Sequence, residues 1–330
     1  MKNFIKLSKK DKLNIFNQAS ERSGLPSSAV EKDWWVTLSL NIIFSLPYSN
    51  QIVFKGGTSL SKAWDLIERF SEDIDLVIDR KHLGFDGKLS KTQVKKLRKA
   101  SYTFIATKFH KDINNKLIDF GVQDYELVVQ KTKHTDTDPL IIELRYKSLV
   151  EVSEYLKPRV LIEVGARSLM EPIDNKSIIS IVSNEYRELP FAEKEIIIPV
   201  VSPKRTFLEK IFLLHEEFQK ETKLIRVERM SRHLYDLEKL MDTSHGNEAL
   251  KDTEMYHTIV AHRKSFNTIR GIDYANHTPK LINILPPKET IKNWEKDYKT
   301  MQESMFYGNT INFNKLMDRI TELNNRIKRM

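Results

Sequence analysis

The chain has 330 residues, 40% hydrophobic and 30% charged, a balance that describes a soluble globular protein with enough length for one elaborated domain or two modest ones. It has no cysteine, which excludes disulfides and thiolate zinc sites, and its richest apolar run, residues 34–46, is broken by Thr37, Ser39, Asn41 and Ser45. The formal net charge of +9 suits an anionic partner, nucleic acid above all; the N-terminal MKNFIKLSKKDK lacks the apolar core of a signal peptide, so a cytoplasmic protein with no membrane partner is expected.

A first helix is predicted over residues 8–24, where Ser8 precedes Leu13, Ile15, Phe16 and Ala19 and Gly24 stops the segment before Pro26. A second begins at Ser28, with Glu31 three residues on completing a capping box, and carries Val30, Trp34, Leu38 and Ile42 as far as Pro47. Trp34 and Trp35 read as core anchors. Ile52, Val53 and Phe54 then form a short strand that stops at Gly56-Gly57. Ser59 is placed to cap a helix whose apolar positions Leu60, Ala63, Trp64 and Ile67 recur at helical spacing. After Phe70 the period falls to two: Ile74, Leu76 and Ile78 point one way, and Asp73, Asp75 and Asp79 the other.

Each part of residues 52–79 has a chemical use. A Gly-Gly turn lets backbone N–H groups approach an anion closely, and a helix start behind it favours a phosphate. Two carboxylates at i and i+2 on a strand share a face and can hold Mg²⁺, which binds through one or two carboxylates plus substrate phosphates. Singly, a Gly-Gly is a turn and alternating acids are a solvated face. Together, in this order and joined by one helix, they point to a nucleotide–metal site.

Residues 81–91 read as a polar loop and residues 91–117 as a long amphipathic helix, whose Lys91, Lys95, Lys96, Arg98 and Lys99 face either solvent or a phosphate backbone. Strands follow at 125–129 and 140–146, joined by a hairpin-like connection, and at 159–164. Glu143 and Glu163 each lie inside an apolar strand, where a lone carboxylate is costly unless it is metal-bound or paired, here with Arg145, Arg159 or Arg167. Further strands are read at 178–182 and 196–201. From Ser202 the pattern is helical alone, which divides the chain into a core over 1–201 and a helical region over 202–330. The helix at 203–221 brings Thr206 and Lys210 to one face. On the next, Arg232 and Asp236 stand four apart; such a pair alone is a surface salt bridge of little consequence. His215 and His233 have no local partner at metal spacing, so core packing or a polar contact is expected. Residues 247–330 read as polar-rich helices broken at Pro286-Pro287.

Gly56-Gly57-Thr58-Ser59-Leu60 with Lys62, followed by Ser71-Glu72-Asp73-Ile74-Asp75, resembles the G-[GS] and D-x-D signature of the nucleotidyltransferase superfamily. More narrowly it resembles the AbiEii/AbiGii toxin family of nucleotidyltransferase-like proteins of type IV toxin–antitoxin and abortive-infection systems. Further likenesses are Glu31–Val36 to an E-K-D-x-W-V segment and Lys157–Arg167 to a later strand. Arg205–Lys210 is similar to R-T-F-x-E-K, and Arg229–Leu237 to R-x-x-R-H-x-x-D-L. The resemblance covers roughly residues 31–237. It implies an α/β (α+β) fold: a nucleotidyltransferase-like core with a mixed sheet, N-terminal helices and a helical C-terminal half.

What the resemblance implies for chemistry is transfer of a nucleoside monophosphate from an NTP to an acceptor, with release of pyrophosphate. Asp73 and Asp75 would hold Mg²⁺ or Mn²⁺, with Glu163 as third carboxylate and Glu143 as its rival. Gly56, Gly57, Thr58 and Ser59 would cradle the triphosphate, Thr206 and Arg232 would bind the nucleotide, and Lys62 or Lys210 would balance its charge. Asp236 would position Lys210 or the acceptor, or act as a base. Family analogy points to an RNA acceptor, a tRNA 3′ end among the candidates, and to a cognate antitoxin partner. The alternatives are the same core acting on a protein or small molecule, and a catalytically silent protein that binds nucleic acid or a partner.

Overall fold

A seven-stranded mixed sheet organises the first part of the computed structural model, which describes residues 2–71, 73–152, 156–266, 269 and 271–330. The strands are β1 (Ile52–Lys55), β2 (Asp73–Ile78), β3 (Tyr125–Val129), β4 (Leu140–Tyr146), β5 (Arg159–Gly165), β6 (Ile173–Ile178) and β7 (Ile196–Val201). Their order is β3-β4-β5-β2-β1-β7-β6. The β2–β5 and β1–β7 pairs are parallel and the others antiparallel. Phe54, Leu76, Val164 and Leu140 are successive cross-strand partners, so the alternation along each strand adds up to one continuous apolar face. All four are fully buried, each contributing about 1.5–3 kcal/mol by leaving water. The Ser27–Phe44 helix packs on β2 and β5, and Trp35 stacks on Tyr146 of β4 at 4.6 Å.

Contacts group residues up to Ala63 with Phe70–Val201 as one unit, and Trp64–Arg69 with Ser202–Met330 as a second. The short segment Trp64–Arg69 thus belongs with residues far along the chain and not with its immediate neighbours.

Four local expectations in the first unit are corrected. The Ser27–Phe44 helix starts behind Pro26 with no side-chain cap, and Glu31 makes no capping box. Its carboxylate instead accepts hydrogen bonds from Ser148 Oγ (2.6 Å) and the Leu149 amide (2.9 Å). The helix after β1 runs Gly56–Lys62, so Ser59 lies inside it, donating to the Gly56 carbonyl at 2.9 Å. Asp65, at φ 52°, is in a left-handed conformation that no helix continues through, so Trp64 and Ile67 fall outside it. Residues 178–182 are no strand: β6 ends at Ile178, and Ser180 caps a helix over Ile181–Glu185. β6 itself, IDNKSI, is a mostly exposed edge strand without apolar alternation. The long helix runs over Lys91–Phe104 and His110–Phe120, with a π-helical turn between them at Ile105–Phe109.

Helices dominate the second unit: Pro203–Phe218, Ser231–Leu240, Ser244–Ala249, Thr253–Phe266, Ile291–Ser304 and Phe313–Ile327, with Pro286-Pro287 in the loop before the fifth. Phe207, Phe212, Leu234, Tyr256 and Trp294 are buried in it. Tyr235 Oη accepts the Glu68 amide at 3.2 Å, and the Glu68 carbonyl accepts the Tyr307 amide, which ties the short segment in place. His215 is a buried structural residue, as expected. It accepts the Asn283 amide at Nδ1 (3.1 Å) and bonds the Asn276 carbonyl through Nε2 (3.1 Å).

Candidate active site

The face of the sheet opposite the apolar one carries the acids. Asp73 and Asp75 alternate with Ile74 on β2, and the register sets Asp75 between Lys55 of β1 and Glu163 of β5. Residues in register on neighbouring strands share a face about 5 Å apart. Lys55, Asp75 and Glu163 therefore form a cross-strand row, with Asp73 one step along, and all four are half-buried. Gly56 follows directly, at φ 83°, and a β-carbon on it would fall 1.9 Å from Asp75 Oδ2. Only glycine accepts that backbone and that carboxylate together. The glycine turn and the second aspartate are thus packed against each other, so a ligand approaching the Gly56 backbone meets an Asp75 oxygen.

The two candidate third carboxylates sit differently. Glu143, on β4, is opposite Leu161 and is gripped by Arg145 (2.9 Å) and Arg159 (2.8 Å). The Arg145 hydrogen bond, opposed by burial and helped by Arg159, holds its carboxyl below the usual range. It is a structural ion pair. Glu163 has the position beside Asp75. Among the described residues no group of three or more His, Asp or Glu side chains is arranged to hold a metal ion, so Asp73, Asp75 and Glu163 are not gathered into one ligand set. Oxygen donors in pairs on one face are nevertheless what a hard cation takes from protein when phosphate oxygens complete its shell. Glu72 lies outside the described residues.

Several residues expected at the nucleotide face inward. Thr58 is 2% exposed; its Oγ1 donates to the Asp73 carbonyl and shares a 2.8 Å hydrogen bond with Ser71 Oγ. Ser59 is fully buried. Thr58 locks the helix to β2 and Ser59 bonds back within the helix, which leaves the backbone of the turn for a ligand. Lys62 is also committed: its ammonium pairs with Asp33 at 2.5 Å and donates to the Ile179 carbonyl at 3.1 Å. Asp33 in turn accepts the Ile181 amide at 2.8 Å, and Lys32 donates to the Lys157 carbonyl at 2.9 Å. The Glu31-Lys32-Asp33 run is therefore a three-way brace that fixes the glycine-turn helix through Lys62. The cation in register with Asp75 is Lys55, whose Nζ donates to Ser168 Oγ at 3.0 Å. Sequence reasoning passed over it, although it immediately precedes Gly56 and shares the face of Val53.

A second cluster lies within the helical unit. Asp236, fully buried, accepts Arg69 Nε at 2.6 Å and Arg69 Nη2 at 2.8 Å, and pairs with Lys210 Nζ at 2.7 Å. The partners of Asp236 are thus Arg69 and Lys210; sequence spacing had suggested Arg232. Burial opposes ionisation of Asp236, but Arg69 and then Lys210 overcome it and hold the carboxyl far below its usual range. Burial works on Lys210 in the opposite sense, lowering its pKa against the pull of Asp236, with Arg69 and Arg232 adding to the fall. The cations around Asp236 keep it ionised, while burial draws the Lys210 ammonium downward. His233 lies 3.4 Å from Lys210 Nζ through Nδ1; burial, then Lys210, keeps it neutral well below its usual range. Thr206 and Arg205 are buried on the Lys210 helix. Two cations sharing a single carboxylate are suited to take up a further anion. Arg69 went unnoticed in the sequence because its partner lies 167 residues away.

No helix among the described residues is long and apolar enough to cross a membrane. The sequence model of the nucleotidyl transferase AbiEii toxin family, type IV toxin–antitoxin system, matches residues 41–319. Comparison with curated proteins gives no match. Among solved structures, the chain is similar to MenT4, a nucleotidyltransferase toxin from Mycobacterium tuberculosis H37Rv, with TM-score 0.53 and 16% identity over 98% of this chain and 90% of that one. JHP933 from Helicobacter pylori matches with TM-score 0.45 and 12% identity, over 92% of this chain and 94% of that one. The likeness to MenT4 is one of fold.

Proposed function

The chain belongs to the AbiEii family of nucleotidyltransferase toxins of type IV toxin–antitoxin systems, and from that membership we propose that it transfers a nucleoside monophosphate from an NTP to RNA in a Mg²⁺-dependent reaction. Membership implies an NTP as substrate, a divalent metal and an antitoxin partner; the choice of Mg²⁺ and of RNA is our reading. An RNA hydroxyl oxygen forms a bond to the α-phosphorus, the bond from that phosphorus to the bridging oxygen breaks, and pyrophosphate leaves while the hydroxyl proton passes to solvent.

Asp73 and Asp75, with Glu163 alongside, would hold the metal, which when bound supplies charge neutralisation and orientation of the phosphates. Backbone groups of Gly56 and Gly57 receive phosphate oxygens in this reading, and Lys55 takes the balancing position that Lys62 has given to Asp33. By the family likeness Lys210 would supply a buried cation, with Asp236 positioning it. A carboxyl held so firmly ionised is a poor proton acceptor, which favours positioning over the role of base. The single observation that carries the reading is the contact of Asp75 with Gly56, because it joins the metal ligand and the phosphate turn in one place.

The test is incubation with each labelled NTP, Mg²⁺ and total RNA, protein or no acceptor. Label is expected in RNA, and RNA binding should fall steeply with salt, the log–log slope reporting the phosphates neutralised. Label entering protein or a small metabolite, with RNA neither binding nor competing, would overturn the acceptor assignment.

A further inference from the structure

A cavity of about 380 Å³ lies in the first unit, among the N-terminal helices, the end of the His110–Phe120 helix and the residues after β4. It is not part of the carboxylate site. Trp35, one of its walls, stacks on Tyr146, whose side chain shares the sheet face of Ile142 and Leu144, whereas Asp73 and Asp75 occupy the other face. Its size is within the range of small-molecule pockets, roughly 300–1,000 Å³.

The walls are aromatic. Phe4, Phe16, Trp34, Trp35 and Phe120 line the cavity, with Phe4 5.0 Å from Trp34 and 5.5 Å from Phe16, centroid to centroid. Flat walls of this kind take a flat ring by stacking or edge contact; a chain-like ligand gains less from them. Trp34 is 5% exposed, yet its buried Nε1–H has no hydrogen-bond acceptor among the described residues. An unmet buried donor costs about 1–3 kcal/mol, so a ring bearing an acceptor atom would recover part of that cost.

The rim is cationic. Lys6, Lys9, Lys12 and Lys147 stand there against Asp124 and Glu31. Lys9 is paired with Asp124 at 2.7 Å, Lys12 donates to the Ile5 carbonyl at 2.7 Å, and Glu31 is occupied by Ser148 and Leu149. Lys6 and Lys147 are exposed, and Lys147 lies within electrostatic reach of Asp124, which Lys9 already pairs. An excess of ammonium groups over carboxylates around an aromatic chamber with a buried N–H donor suits an aromatic anion.

We propose that this cavity is a second nucleotide site, separate from the carboxylate face, which holds the base of a nucleoside phosphate against the single aromatic wall that Phe4, Phe16 and Trp34 form together and its phosphate at Lys6 and Lys147. The nucleotide is either free or the terminal residue of an RNA strand; the chemistry is shared. This assignment does not depend on what the carboxylate face transfers.

Binding of AMP and of a 5′-phosphorylated RNA pentamer is measured by calorimetry on the full chain in EDTA, with decyl phosphate as an aliphatic anion of comparable charge and decanoate as a second aliphatic control. AMP is expected to bind, and Lys6→Glu with Lys147→Glu, both at exposed positions, should weaken it by roughly tenfold or more. Trp34→Phe keeps the wall but removes the donor, and should weaken AMP by about fivefold while leaving decyl phosphate and decanoate unaffected. Asp73→Asn should not change AMP affinity. Tighter binding of the pentamer than of AMP assigns the site to an RNA end, and the reverse assigns it to free nucleotide. Absence of binding by both, preference for decyl phosphate or decanoate, indifference to the double lysine reversal, or loss of AMP binding in Asp73→Asn would each overturn the proposal.

Discussion

Arg69 closes on both oxygens of Asp236 in a side-on pair, and Lys210 shares one of the same oxygens. The three groups act as one object: Asp236 bridges two cations that are themselves almost wholly removed from water. Removing different members should therefore have different consequences.

Asp236→Ala leaves Arg69 and Lys210 buried without their shared counter-charge, and should cost about 3–5 kcal/mol of stability. Lys210→Met leaves the Arg69–Asp236 pair intact and should melt near the parent temperature while NMP transfer falls roughly a hundredfold. Lys220→Ala on the same chain segment, where the ammonium only pairs with Glu217 at 2.8 Å, should do little to transfer. Thermal denaturation and labelled-NTP transfer measured on all three decide the matter; equal, mild losses in Lys210→Met and Lys220→Ala would reduce Lys210 to a structural charge.

Asp73→Asn and Asp75→Asn should each abolish metal-dependent NTP consumption and leave the melting temperature within a few degrees of the parent. Neighbouring carboxylates repel one another when no metal lies between them, so neutralising one need not weaken the fold. Full turnover in both variants would remove the β2 pair from the chemistry.

Gly56→Ala carries two penalties and Gly84→Ala one. Both glycines are at positive φ, 83° and 84°, but a β-carbon at Gly84 meets nothing within 4 Å. Gly84→Ala should cost about 1 kcal/mol, the backbone part alone. Gly56→Ala adds a collision with Asp75 and should lose more stability together with activity. Chemical denaturation of the two side by side isolates the crowding; equal losses would mean that Asp75 swings away freely.

Asp138 and His215 set opposite pH responses in the two units. Burial, opposed by Arg167, raises Asp138 to about 6, above its unfolded value near 3.8. The native state then holds the extra proton between those values, so stability present below pH 3.8 is lost as pH rises through 6, at most about 3 kcal/mol. Burial, then His277, lowers His215 to about 4, so the unfolded chain binds the extra proton between pH 6.5 and 4 and the second unit weakens on acidification. Hydrogen exchange followed by unit between pH 6.5 and 4 should show protection rising around Asp138 and falling around His215. Asp138→Asn should stabilise at pH 7.5 and not at pH 3.5.

Local pattern made much of the site legible. The change of period at Phe70 put Asp73 and Asp75 on one face, and the apolar runs located β1, β2, β4, β5 and β7 to within a residue or two. Non-local partners were not legible. Glu31 looks like a capping residue until Ser148 and Leu149 are brought to it, and Lys62 looks like a phosphate ligand until Asp33 is. β6 gave no signal because an exposed edge strand has no buried side to impose alternation. Ile178–Val182 looked like a strand because four of its five residues are apolar, yet Ser180 stands at the one position that caps a helix.

The membership of Trp64–Arg69 in the helical unit has a bearing on how the protein is made. A ribosome that has released Arg69 must add 167 more residues before Asp236 exists to receive it. At about 5–20 residues per second that interval lasts roughly ten to thirty seconds. The β2 aspartates emerge early in it, but the buried cluster around Lys210 cannot form until its end. A nascent toxin with this chain order therefore carries its β2 carboxylates long before Arg69 and Lys210 can be seated on Asp236.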